Sequence, residues 1–218
     1  MKNLKELSQD EKNLLVALCI GDGCLRKPHP QTGSVQLEIG HSTKQEDYCT
    51  WKRDLVYSIC GGTKEPKMGY RTIKLKNSDN EYYACRFTKI HEYFLYLRKL
   101  MYPNGRKVMT REILDKLCLQ GIAIWFMDDG SCYKKDSADG TKSISFDLRI
   151  STECFTQEEN DIIVEYFKEK WDIHFHTFYS ANKKAWIIRA NKKAALAFME
   201  LIEPYVIPSM SYKIEYKK

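Results

Sequence analysis

A buried-type apolar segment closing on Asp-Gly occurs twice in this chain, and that restricts the fold to a tandem of two like units. The first copy is Leu15-Val16-Ala17-Leu18-Cys19-Ile20-Gly21-Asp22-Gly23 and the second is Ile122-Ala123-Ile124-Trp125-Phe126-Met127-Asp128-Asp129-Gly130. Their Asp-Gly pairs stand 107 residues apart. Glu38-Ile39-Gly40-His41-Ser42-Thr43 resembles Asp147-Leu148-Arg149-Ile150-Ser151-Thr152 at an offset of 109, and an acidic helical stretch follows each. Tyr102-Pro103 and Lys107 have a counterpart in Pro208 to Lys213, the two lysines being 106 apart. Three features at nearly one offset identify an internal repeat.

Each half carries the same succession of patterns. In the first, helices are expected over about 10–21, 44–60 and 90–101, with strands near 35–39, 70–76 and 81–88. In the second, helices are expected over about 120–129, from Thr156 onward, and near 191–202. Strands are expected there near 143–150, 173–179 and 185–190. Thr156 and Glu159 have capping-box spacing. The fold class is therefore α+β, with an N-terminal repeat over 1–105, a partly helical linker region over 106–119 and a C-terminal repeat over 120–218.

Hydrophobic residues make up 43% of the 218, enough to exclude global disorder. Lys and Arg outnumber Asp and Glu by 35 to 29, a net charge of +6 that suits a nucleic-acid partner without requiring one. The early apolar run from Leu14 to Ile20 is too short to span a bilayer, and no secretory signal is seen. The expectation is a soluble intracellular protein, in an organelle if the host is eukaryotic and otherwise in the cytoplasm. None of the eight cysteines forms a Cys-x-x-Cys pair, so reduced thiols are expected.

Both nine-residue segments resemble the LAGLIDADG motif: Leu15, Leu18, Asp22 and Gly23 in the first, Asp128, Asp129 and Gly130 in the second. The run Glu203-Pro204-Tyr205-Val206-Ile207-Pro208-Ser209-Met210-Ser211-Tyr212-Lys213 is similar to the end of single-chain, intron-encoded homing endonucleases. The resemblance extends from about Leu14 to Lys213 and implies two αββαββα repeats, a saddle of sheets over DNA, and motif helices at the repeat interface. It further implies a monomeric, metal-dependent enzyme that cleaves both DNA strands and leaves short 3′ overhangs.

The residues give a physical reading beside it. Asp-Gly closing one apolar helix would be an ordinary helix stop, whereas two such endings point to paired acids. If the two helices pack side by side, Asp22 and Asp129 meet at one end, where a cation relieves their repulsion. Carboxylate and water ligands suit magnesium. Asp22 and Asp129 are thus the candidate catalytic and metal-holding acids, with Gly21 and Asp128 as further candidates for the metal. Asp128 is the competing acid, but its counterpart in the first copy is Ile20. Metal ions activate water and stabilise the leaving 3′ oxygen, so no separate base is required. Lys107 and Lys213 are the candidate basic catalytic residues, since they recur at the repeat offset and the family places a lysine near each active site.

Alternation assigns Val35, Leu37 and Ile39 to the helix side of the first sheet, and Gln36 and Glu38 to its outer face. By the same rule Ile73 and Leu75 face in, while Thr72, Lys74 and Lys76 face out. Cys85 and Phe87 oppose Arg86 and Thr88, and Phe146, Leu148 and Ile150 oppose Ser145, Asp147 and Arg149. Outer polar residues of these kinds can read major-groove base edges. Arg71 and Arg189 join this DNA-binding set, and Arg26, Lys27, Lys134, Lys135, Lys142, Lys183 and Lys184 are candidate phosphate contacts. The expected partner is double-stranded DNA, with an asymmetric site of roughly 20 base pairs if each half reads about one helical turn. Intron RNA is the alternative partner, as for a maturase, and a non-catalytic DNA-binding regulator is the other rival. The lack of flanking splicing domains points to an intron rather than an intein remnant.

Overall fold

The structure, a computed structural model, describes residues 2–27, 33–74, 81–135 and 145–215. It comprises two compact units, Met1–Leu100 and Met101–Lys218.

The first unit runs α1 (Gln9–Ile20), β1 (Cys24–Arg26), β2 (Gln36–Ser42), α2 (Glu46–Cys60), β3 (Gly69–Lys74), β4 (Glu81–Ile90) and α3 (Glu92–Met101), the last closing at the unit boundary. Ser8 starts α1 with a reciprocal cap. Its side chain accepts from the Glu11 N–H, and its own N–H donates to the Glu11 carboxylate at 2.8 Å. From Leu15 to Ile20 every residue is buried, as a helix apolar on all sides must be. The four strands form an antiparallel sheet in the order β1-β2-β4-β3, with α2 against β2 and β4.

The second unit repeats the plan: α4 (Arg111–Leu114), α5 (Leu119–Asp129), β5 (Gly130–Lys135), β6 (Ser145–Ile150), α6 (Gln157–Trp171), β7 (Phe175–Ser180), β8 (Ala185–Ala190) and α7 (Lys192–Ile202). Two 3₁₀ turns follow, Glu203–Tyr205 and Pro208–Lys213. Its sheet order, β5-β6-β8-β7, is the equivalent of the first. The expected capping box of Thr156 and Glu159 starts α6. Among the described residues no helix is long and apolar enough to cross a membrane.

Two strands in this plan escaped the alternation pattern. β1 has three residues, too few for a period of two to register, and β5 starts at Gly130, the residue that caps the motif helix, with no loop between them. One face assignment is corrected. The ladder pairs Ile73 with Tyr82 and Arg71 with Ala84, so these share the outer face with Arg86, Gly40 and Glu38. Thr72 and Lys74 therefore lie on the helix side with Tyr70, whose hydroxyl donates to Glu46 on α2. β3 is an edge strand with no fully buried residue, so burial does not discipline its polar pattern. Leu75 and Lys76 lie outside the described residues, as does Lys142. The alternation of Leu37, Ile39, Cys85, Phe87, Leu148 and Ile150 toward the core holds.

The two cores differ. That of the second unit is aromatic: Phe167 lies 4.9 Å from Phe175 and 5.6 Å from Phe198, centroid to centroid, and stacks near Trp125. Burying each such ring contributes roughly 2 kcal/mol. At the corresponding depth the first unit buries polar side chains, His41 and Lys52, beside Tyr48.

Candidate functional site

In the first unit the motif acid lies just past its helix. α1 ends at Ile20, Gly21 is its C-cap, and Asp22 projects with 38% of its side chain exposed. The turn is tight because Gly23 presses on the helix: a Cβ there would sit 2.0 Å from the Leu18 carbonyl oxygen. Asp22 Oδ2 faces His41 Nδ1 at 3.5 Å. The acid lines a cleft of about 400 Å³ together with Cys24, Arg26, Glu38, His41 and Arg71, so it opens onto the outer face of its own sheet.

In the second unit Asp129 is the last residue of α5. Trp125 Nε1 donates to its Oδ2 at 3.1 Å, and its carbonyl accepts from the Ser151 N–H at 2.9 Å. Gly130 is again crowded, here by the Phe126 ring, 2.1 Å from where a Cβ would stand. Asp128 is partly exposed, and its carbonyl accepts from Lys213 Nζ at 3.0 Å. A cation at the carbonyl end of a helix is favoured by the helix dipole. Lys213 therefore closes α5 beside the two acids, delivered there by the turn Pro208–Lys213.

Lys107 is positioned through its neighbour. Arg106 Nη1 donates to the Lys107 carbonyl at 3.0 Å, while the guanidinium forks onto both oxygens of Glu159 at 2.8 and 2.9 Å. Glu159 accepts in addition from the N–H groups of Thr156 at 2.7 Å and Met109 at 3.3 Å. Burial works to raise the Glu159 carboxyl, but the Arg106 hydrogen bonds and the backbone donors outweigh it and hold the group below the usual carboxylate range. Lys107 and Asp129 share an electrostatic neighbourhood at Cys154. That thiol is exposed at its surface yet crowded by protein; the crowding pushes it up, Lys107 opposes and Asp129 adds. The second unit thus gathers Asp128, Asp129 and Lys213 at the end of α5, while Lys107 and Asp129 both act on the Cys154 thiol. Gly21 takes its place in the first unit as the cap of α1.

The outer sheet faces carry matching ion pairs. In the first unit Glu38 bridges Arg26 at 3.2 Å and Arg86 at 3.5 Å, with Gln36 and Arg71 on the same face. In the second, Asp147 holds Arg189 at 2.7 Å, and Arg149 donates to Ser131 at 3.1 Å while lying over the Tyr133 ring. Arg189 lies over the Phe178 ring, 4.6 Å from its centroid. Each face therefore holds arginines in fixed orientations, stacked or paired rather than loose. Lys74 pairs with Glu81 on the opposite side of its sheet, away from this face. Lys27 is exposed after β1, Lys183 pairs with Glu153, and Lys184 occupies a left-handed turn at φ 50° between β7 and β8. The side chains of Lys134, Lys135 and Ser145 lie outside the described residues.

Several residues here were not singled out by sequence. Trp125 precedes Asp129 by four, the spacing of neighbours on a helix face, so its contact was available from the motif itself. His41 and Lys52 gave no such signal, nor did Arg106, Tyr133 and Phe178.

The profile described as the LAGLIDADG DNA endonuclease family matches residues 12–198. The chain is 26% identical over 210 residues to a protein named RecA from Mycolicibacterium chitae, across 95% of this chain and 47% of that protein. It is 30% identical over 148 residues to a probable intron-encoded endonuclease 1 from Wickerhamomyces canadensis, across 67% of this chain and 58% of the other. The chain thus spans about half the length of the curated relatives it matches. In fold it is similar to the homing endonuclease I-WcaI, solved bound to its DNA recognition sequence, with a TM-score of 0.78 and 23% identity over 100% of this chain and 90% of that one.

Proposed function

Because this chain belongs to the LAGLIDADG DNA endonuclease family, we propose that it is a site-specific DNA endonuclease that hydrolyses both strands of a long asymmetric site with the aid of magnesium. The observation that carries this reading is the repeated placement of an acid at the end of a buried motif helix, Asp22 after α1 and Asp129 closing α5. Each repeat would contribute one motif carboxylate to metal binding. The donor set fits: carboxylate oxygens are the hard ligands magnesium takes, and each acid has an orienting neighbour, His41 or Trp125.

When bound, magnesium would supply an activated water and stabilise the leaving 3′ oxygen. Asp22 and Asp129 are the carboxylates that would hold it. Lys107 and Lys213 place positive charge where negative charge builds on the phosphate. The arginines of the outer sheet faces, Arg26, Arg71, Arg86, Arg149 and Arg189, read base edges and grip phosphates in the duplex. The product carries short 3′ overhangs, and one chain suffices for activity.

A plasmid carrying the uninterrupted target junction, incubated with the purified monomer, tests this. Linear product is expected with magnesium and none with chelator. Calcium is expected to support binding without efficient cleavage, since its looser coordination positions water poorly. Tight binding to the intron RNA with no junction cleaved would instead mark a maturase. Duplex binding without cleavage under any ion would mark a regulator, and a requirement for a dimer would overturn the single-chain reading.

Replacing Lys107 or Lys213 by Ala is expected to slow cleavage by about a hundredfold while affinity changes little. Single-turnover rates beside equilibrium binding separate the two. Losses confined to affinity, with the salt dependence flattened by about one unit per lysine, would make them phosphate contacts.

A further inference from the structure

The first unit buries a lysine completely. Lys52, in the middle of α2, is 0% exposed, and its Nζ stands 3.2 Å from His41 Nε2 and 4.3 Å from the centroid of the Tyr48 ring. A buried ammonium is costly and is retained only where its partners offset the lost hydration. The fold does not require it. α2 and α6 each have fifteen residues, and the position of Lys52 in α2 is taken in α6 by Ile163, fully buried. At the repeat offset of 109, His41 corresponds to Ile150, also fully buried. The same two sites that hold a polar pair in one repeat hold two isoleucines in the other.

The pair leads to Asp22. As an ammonium Lys52 carries only donors, so His41 Nε2 accepts from it and the ring proton sits on Nδ1. That nitrogen is the one facing Asp22 Oδ2 at 3.5 Å. We propose that Lys52 is a positioning residue. Through its hydrogen bond it fixes His41 as the Nδ1–H tautomer, and His41 thereby orients the Asp22 carboxylate. A carboxylate that holds a metal is commonly set by such an outer partner, and the partner by another behind it. Asp129 is oriented differently, by the indole of Trp125 from its own helix. The two motif acids therefore have unlike support: a relay from the core in the first repeat and a local contact in the second. The proposal rests on the reading of Asp22 as a metal-holding acid, but the tautomer does not.

The ¹⁵N resonances of the His41 ring, recorded on the full chain without DNA or metal, decide the first step. The expected result is a protonated Nδ1 and an unprotonated Nε2. Lys52→Met keeps the packing volume and removes the donor, so the ring is expected to shift toward the Nε2–H form. With magnesium, Lys52→Met should lower the single-turnover cleavage rate at saturating DNA by about tenfold or more, with affinity in calcium nearly unchanged. An Nε2–H ring in the wild-type protein overturns the proposal, as does a tautomer indifferent to Lys52→Met, or a loss confined to affinity. If Lys52→Met fails to fold, the pair His41→Ile with Lys52→Ile, borrowed from the second repeat, serves instead. It is expected to fold and bind DNA yet cleave as slowly, and wild-type cleavage rates from it would overturn the proposal. A wild-type protein that shows the expected tautomer but cleaves no DNA would locate the failure in the nuclease reading and not in the relay.

Discussion

Asp22→Asn and Asp129→Asn are each expected to reduce cleavage by at least about a thousandfold, equivalent to losing roughly 4 kcal/mol of transition-state stabilisation by the metal, and to leave DNA binding largely intact. Asn preserves shape and hydrogen bonding while removing charge. At position 129 the amide oxygen can still accept from Trp125 Nε1, so the buried indole keeps a partner and the helix end should not be disturbed. A loss in the Asn variants therefore reports on the carboxylate charge. Asp128→Asn should be much milder. The Asp128 group that serves the helix end is its backbone carbonyl, which Lys213 holds and which the substitution leaves in place. Quenched-flow or gel-based cleavage with magnesium, beside binding with calcium, measures both quantities. Full cleavage by the Asp22 or Asp129 variant would remove these residues from the metal site.

Gly23→Ala is expected to lower stability by about 3 kcal/mol or more, since added volume with nowhere to go forces the backbone to move. The atom it would meet is the carbonyl oxygen of Leu18, within a fully buried segment of α1, and Cys19 Cα stands 3.1 Å away. Neither is the far end of a flexible side chain. For a protein of this size the corresponding fall in melting temperature is roughly 6–12 °C. Gly130→Ala should cost less, because the obstacle is a side chain. Yet the Phe126 ring is itself fully buried, 5.3 Å from Phe198 edge to face, so it yields only slightly. Thermal unfolding of the two variants ranks the effects; a Gly23→Ala protein melting with the wild type would disprove the close approach. The glycine of each motif is thus explained by space rather than by backbone angle, and it sets where the neighbouring acid emerges.

Much of this is legible in the sequence. Apolar runs that close on Asp-Gly named the motif helices, and the Thr156–Glu159 spacing named the start of α6. Alternation works where one face is buried, as at Leu37 and Ile39, and fails at Ile73, on an exposed edge strand. Lys52 shows the deeper limit. A lysine within a helix carries no mark of burial in its own sequence, and only the closure of α2 against the sheet brings it under His41. Arg106 is similar: its neighbour Lys107 recurs at the repeat offset, whereas the fork onto Glu159 joins residues 53 apart through tertiary structure alone.

That fork bears on how such genes can recombine. The stretch after α3 is by sequence a linker, but its side-chain bonds tie it to the second repeat: Arg106 and Met109 to Glu159, Arg111 to Glu169, and α4 against α6. A hybrid made by joining this chain to a relative at the start of α5 would sever the stretch from the helix that anchors it and leave Glu159 without its guanidinium. A crossover at the end of α3 transfers anchor and anchored together. Inheritance by halves is therefore tolerant of exchange at one junction and not at another a short way downstream.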